Sequence, residues 1–176
     1  MQSDEKLMVA ASEGDMDSFE ELVRRHRDRA YRVAYTFLGD EKKAEDLAQE
    51  AFLKILESAE SYQPTASFTT YLYRVVANAC LDYRKKKRPS SSAQLSDRKD
   101  DADGPADVLI RQDRREAVRR AIDSLPERQR MSLVLQYYEG LSYAETAEAM
   151  GCTESAVDSL LVRARRKLRR KLNGLI

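Results

Sequence analysis

Apolar positions recur along this chain at helical spacing, in blocks separated by polar or turn-forming residues. Leu7, Met8 and Ala11 begin a short helix that Gly14 closes. Asp17 or Ser18 can open the next, with Phe19, Leu22, Val23, Ala30, Val33, Ala34 and Phe37 following on one stripe. Gly39-Asp40 reads as a stop followed by a start. A third helix, about Glu41 to Ser58, gathers Ala44, Leu47, Ala48, Ala51, Phe52, Ile55 and Leu56 on one side. Tyr62-Gln63-Pro64-Thr65-Ala66 is a loop, because Pro64 cannot continue a helix and biases Gln63 toward extended geometry. Ser67 can cap a fourth helix, Phe68 to about Arg88.

The pattern then lapses. Pro89 to about Gly104 is rich in Pro, Ser and Asp and nearly free of large apolar residues, a linker composition. Asp107 can cap a helix carrying Val108, Leu109, Ala117, Val118, Ala121 and Ile122. Leu125-Pro126 breaks it, and the following helix, with Pro126 in its first turn, runs to Glu139 before Gly140 stops it. The prediction is an all-α chain of two helical domains, 1–88 and 105–176, joined by a flexible linker over 89–104.

The segment Ser142–Lys171 carries the plainest chemistry. Ser142 with Glu145 three residues on is a capping-box pattern, Gly151 suits a turn at positive φ, and Thr153 can cap a second helix. In that helix Val157, Leu160, Leu161, Ala164 and Leu168 form the apolar stripe, while Ser155, Ser159, Arg163 and Arg166 fall largely off it. A helix, a tight turn and a second helix with a polar, cationic outer face is the layout of a DNA-reading helix-turn-helix. A purely structural hairpin is the plainer alternative, and cations near a helix C-terminus also favour the macrodipole.

Composition supports a helical protein: 35% charged residues, 42% hydrophobic, six Gly and four Pro in 176 residues. The net charge of +1 is uninformative, but its distribution is not. Thr153–Ile176 holds seven Lys/Arg against two acids, and Arg84-Lys85-Lys86-Lys87-Arg88 is a second basic knot. Segregation of this kind suggests faces turned to a polyanion. The knot follows aromatics at Phe68, Tyr71, Tyr73 and Tyr83, an association suited to single-stranded nucleic acid, although rings at helical spacing more often belong to a core. The acidic face of the third helix, with Asp46, Gln49 and Glu50, reads on physical grounds as a solvated surface, and His26, a lone histidine in a charged run, as a surface residue.

Cys80 and Cys152 lack metal-ligand or disulfide spacing and read as small buried residues in a reducing compartment. No secretory h-region or spanning run is present, so a cytoplasmic protein is expected. No Ser/His/Asp set, paired acid and base, phosphate-cradling glycine loop or metal spacing is found. The expectation is a protein without catalytic activity, cofactor or metal.

Taken together, Ala44–Leu56 with Ser67–Arg88, and Ser124–Arg169, resemble the second and fourth regions of bacterial RNA polymerase sigma factors of the extracytoplasmic-function (ECF) type. The likeness covers nearly the whole chain, in the family's order and without the intervening third region. It implies that the helix with Asp46, Gln49, Glu50 and Phe52 docks on the coiled coil of the polymerase β′ clamp. It implies that Tyr62, Gln63, Ser67, Asn78, Arg84, Lys85 and Lys86 face the −10 element, the loop Tyr62–Ser67 taking up a base that has left the stack. It further implies that Ser155, Asp158, Ser159, Val162, Arg163 and Arg166 lie on the face entering the major groove of the −35 element. The implied partners are core RNA polymerase, through its β′ clamp and β flap, promoter DNA, and an anti-sigma factor.

The chain departs from the family pattern at Tyr71, where Trp is usual, in the loop sequence YQPTAS, and at Asp158, where a cation is common. A carboxylate repels the DNA backbone but can accept from cytosine N4, so a distinct −35 preference is expected. The competing readings are a stand-alone helix-turn-helix regulator, which would bind duplex DNA unaided, and a helical anti-sigma or adaptor protein, which would bind neither DNA nor the clamp.

Overall fold

The computed structural model describes residues 2–87 and 107–173, with side chains from 112 onward in the second stretch. The expected linker, 89–104, lies outside the described residues, as do Arg88 and the side chains of Val108 and Leu109.

Four helices build the N-terminal domain: α1 (Asp4–Ser12), α2 (Met16–Leu38), α3 (Glu41–Glu57) and α4 (Phe68–Lys87). Their boundaries follow from local chemistry. Asp15, rather than Asp17 or Ser18, caps α2: its carboxylate accepts from the Asp17 and Ser18 backbone N–H groups at 3.1 and 3.3 Å and from Ser18 Oγ at 2.7 Å. The N-cap needs an acceptor two or three residues ahead of those donors, and Asp15 has that place. Gly39, at φ +76°, ends α2 with its N–H on the Tyr35 carbonyl at 2.8 Å. Asp40 then caps α3 through the Lys43 N–H at 3.0 Å, so one glycine and one aspartate make the sharp reversal between two long helices. A short 3₁₀ turn, Ala59–Ser61, leads into the loop before Ser67, whose Oγ accepts from the Thr70 N–H at 3.1 Å and caps α4.

The domain's centre is filled by Met8, Leu22, Val33, Phe37, Ile55, Phe68, Leu72 and Val76, all under 2% exposed. His26 joins them, contrary to expectation, at 4% exposure. Its Nε2 lies 2.7 Å from Asp4 Oδ2 and its ring packs 5.1 Å from that of Phe68. The carboxylate from α1 gives the imidazole a partner, which lets a polar ring sit beneath α4.

The C-terminal domain comprises α5 (Asp107–Asp123), α6 (Glu127–Leu133), α7 (Tyr143–Met150) and α8 (Glu154–Leu172). Pro126 precedes α6 at its N-cap. The expected continuous helix to Glu139 instead widens after Leu133 into a π-helical turn, Val134–Tyr138. There the Glu139 N–H reaches the Val134 carbonyl and the Leu141 N–H the Leu135 carbonyl. The wider turn leaves Tyr137 and Tyr138 outside, at 60% and 57% exposure, and sends the Glu139 side chain inward. On α5, Val118 is 41% exposed whereas Ala121 is buried, so only part of the expected stripe is covered.

The helix-turn-helix forms as its sequence requires. Ser142 and Glu145 close both arms of the capping box, Gly151 turns at φ +60°, and Thr153 Oγ1 accepts from the Ala156 N–H at 3.1 Å. Val157, Leu161 and Ala164 of α8 are fully buried against Leu125, Leu133 and Ala147.

The two domains are in contact. Met131, Val134, Leu135, Leu141, Ala149 and Met150 belong to the same apolar cluster as the centre of the N-terminal domain. Helix α4 packs on α7 and α6, and α2 packs on the π-helical turn.

Candidate nucleic-acid interface

Helix α8 presents one continuous outer face. Ser155, Asp158, Ser159, Val162, Arg163 and Arg166 are all exposed, and they fall at i, i+3, i+4, i+7, i+8 and i+11, the spacing of one helix face. The fully buried Val157, Leu161 and Ala164 lie on the opposite side, so the reading face and the packing face are set by one helical period. Arg165, also exposed, is engaged elsewhere: its Nε donates to Tyr137 Oη at 3.0 Å and its Nη2 to Tyr143 Oη at 3.4 Å. These phenols brace α8 against the π-helical turn and the start of α7, and their hydrogen bonds hold the guanidinium firmly protonated. Arg165 was indistinguishable in sequence from its cationic neighbours; only the packing of Tyr137 and Tyr143 sets it apart.

The second surface belongs to α4 and the loop before it. Gln63, Ser67, Asn78, Lys85 and Lys86 are exposed, while Tyr62 and Arg84 are half-buried. Arg74, exposed and four residues before Asn78, lies on the same stripe as Asn78 and Lys85. That spacing was available in the sequence and points to Arg74 as a further member of the face. The Tyr62 ring tilts against Tyr71 at 5.3 Å, and burial raises its phenol pKa. Tyr71 Oη is 3.0 Å from Ser58 Oγ, which ties α4 to the end of α3.

The aromatics preceding the basic knot do not form a stacking platform. Phe68 and Tyr73 are buried at 0% and 3% exposure. Tyr83 lies beneath two cations, Lys43 Nζ at 4.7 Å and Lys87 Nζ at 5.6 Å from its centroid. Helical spacing placed these rings in the core or under lysines. Cys80 is buried as expected, and burial pushes its thiol up to about 12, while Cys152 is only half-buried.

Helix α3 offers a third surface. Asp46, Gln49 and Glu50 are exposed, and Leu53 stands among them at 60% exposure. The Glu50 carboxylate pairs with Lys54 at 2.8 Å. Phe52, grouped with these residues by resemblance, is 7% exposed and packs into the domain core, so it seats the helix and offers little surface. None of the described helices is long and apolar enough to cross a membrane.

Comparison with known proteins matches the two domains separately. Residues 22–89 fit the Sigma-70 region 2 family and residues 115–168 the Sigma-70 region 4 family. The chain is 30% identical to the ECF RNA polymerase sigma factor SigW of Bacillus subtilis, over 97% of both chains. It belongs to the ECF RNA polymerase sigma factors. It is also 37% identical to the ECF RNA polymerase sigma factor SigE of Mycolicibacterium smegmatis, across 88% of this chain and 61% of that longer relative. Among solved structures, the fold is similar to that of the sigma factor RpoE in complex with the anti-sigma factor NepR from Bartonella quintana. The TM-score is 0.68 at 20% identity, covering 88% of this chain and 96% of that one. The family is one of transcription initiation factors, and the α8 face and the α4 stripe fall within its two matched regions.

Proposed function

We propose that this ECF sigma factor binds core RNA polymerase and directs it to a promoter subset by reading two DNA elements with two separate surfaces. Residues 1–88 bind the polymerase and the −10 element, and residues 105–176 read the −35 element, with 89–104 as the tether. The observation that carries this reading is the single outer face of α8, where six polar, cationic or small apolar positions stand free opposite a dry packing face.

Each surface has its own task. The α8 face enters the major groove, where Arg163 and Arg166 suit guanine edges or phosphates and Asp158 accepts from cytosine. The α4 stripe, with Arg74, Asn78, Lys85 and Lys86, follows the strands where the duplex opens, and the loop Tyr62–Ser67 takes the displaced base. The α3 face, with Asp46, Gln49, Glu50 and the exposed Leu53, docks on the β′ clamp. A protruding aliphatic ringed by polar groups is the composition of a protein-binding surface. The solved relative RpoE was captured with an anti-sigma factor, which supports a partner of that kind here as well.

Gel-shift titration with and without core polymerase tests the reading. Promoter DNA is expected to shift specifically only when polymerase is present. Tight, specific binding by the chain alone would favour a stand-alone regulator.

A further inference from the structure

The contact between the two domains is polar at one point and apolar around it. Glu139 follows the π-helical turn and precedes Gly140, which adopts φ +72°. Its side chain is 2% exposed. Among the described residues, its carboxylate accepts three hydrogen bonds from the other domain: Tyr73 Oη of α4 at 2.7 Å, Arg32 Nε of α2 at 2.7 Å and Arg32 Nη2 at 2.9 Å. The bidentate guanidinium and the phenol satisfy a carboxylate that has been taken out of water. Met131, Val134, Leu135, Leu141, Ala149 and Met150 continue the seal, and separating the domains would wet them.

A second junction works in both directions. Arg130, 4% exposed, donates to the Phe37 carbonyl across the interface at 3.2 Å and to the Asp123 carbonyl within its own domain. Its guanidinium lies 5.4 Å over the Phe37 ring. Burial, and then the positive charge of Arg84, weaken its hold on its proton. The Arg84 Nε is itself buried without a partner. The Asp123 carboxylate, 3.7 Å from Arg130 Nη1, offsets part of the cost of burying that cation.

We propose that this chain carries its own catch: Glu139, seated between Tyr73 and Arg32, holds the two DNA-facing domains shut until a partner opens them. The catch is a property of the free chain; its regulatory meaning rests on the two-element promoter reading above. The resemblance to the family implies −10 and −35 elements about two helical turns apart, a separation of about 70 Å that two domains sharing one core do not span. The catch and promoter engagement are thus mutually exclusive, and the closed fraction lowers the apparent affinity for polymerase and promoter together.

Small-angle scattering of the full chain tests this without polymerase. The wild type is expected near the radius of gyration of a single folded unit, about 16 Å for this length. Glu139→Ala and the milder Tyr73→Phe are expected to enlarge it, with helical circular dichroism unchanged. The exchange Arg32→Glu with Glu139→Arg is expected to restore the compact value, which a variant that merely misfolds would not. An extended wild type, or catch variants as compact as wild type, would overturn the proposal. Glu139→Ala is further expected to saturate core polymerase at several-fold lower concentration. A changed radius with no promoter-specific transcription in any form would leave the catch standing and remove the sigma reading. Promoter-specific transcription with an unchanged radius would do the reverse.

Discussion

Glu5 and Phe68 are joined across 63 residues: the Glu5 carboxylate of α1 accepts the backbone N–H of Phe68, the first residue of α4, at 3.1 Å. That N–H has no partner within its own helix, so α1 completes the start of the helix that carries the −10 surface. The bond holds the Glu5 carboxyl below the usual carboxylate range. Glu5→Ala is expected to cost about 1 kcal/mol of stability, as loss of a capping interaction does. Since the folded-state pKa is the lower one, the contribution is complete above the ordinary glutamate pKa and fades as pH falls through the folded value. Urea denaturation between pH 7 and pH 3 checks this: Glu5→Gln should show a shallower loss of stability on the acid side than wild type.

Arg163 stands at the centre of the α8 face and is free to reach a base edge. Arg163→Ala should cost about 1–3 kcal/mol of promoter affinity and relax preference at one position of the −35 element. If Arg163 instead holds a phosphate, the loss will be uniform across sequences and the salt slope will fall by about 1. Holoenzyme binding to a randomised −35 library separates the two, and undiminished occupancy rejects both.

On α3 the exposed groups form one surface, and their removal should be felt by polymerase alone. Asp46→Ala with Gln49→Ala is expected to weaken core binding by roughly tenfold or more, as the loss of a central contact of about 1.4 kcal/mol would. Leu53→Ser should add to the effect without unfolding the domain, because Leu53 is 60% exposed. Fluorescence anisotropy with core enzyme measures each, and unchanged affinity would take the β′ clamp assignment away from this face.

The periodic parts of this fold were legible because each helix has a covered side. The α8 stripe, the Ser142–Glu145 capping box and the turn at Gly151 are all local, and local chemistry decides them. What escaped depends on residues distant in sequence. His26 reads as a surface histidine until Asp4 and Phe68 surround it. Tyr73 reads as a candidate stacking ring until its hydroxyl meets Glu139, 66 residues on. The π-helical turn left no mark in the spacing of Val134 to Tyr138, yet it turns Glu139 inward and Tyr137 and Tyr138 outward. Phe52 is buried as its place on the apolar stripe of α3 requires, and only the resemblance had grouped it with the exposed Asp46, Gln49 and Glu50.

Asn78 is exposed in mid-helix with Arg74 and Lys85 on the same stripe, and its side-chain amide can address a base or sugar. Permanganate footprinting of an Asn78→Ala holoenzyme should show reduced reactivity of unpaired thymines with promoter binding largely retained. Normal footprints would remove Asn78 from the melting surface.

Runoff transcription tests the central claim most directly. The purified chain is added to core polymerase on genomic DNA, and the 5′ ends of the transcripts are mapped. Transcripts should appear only when both are present, and their start sites should share paired −10 and −35 elements at a fixed spacing. Starts no different from those of core enzyme alone would contradict the account.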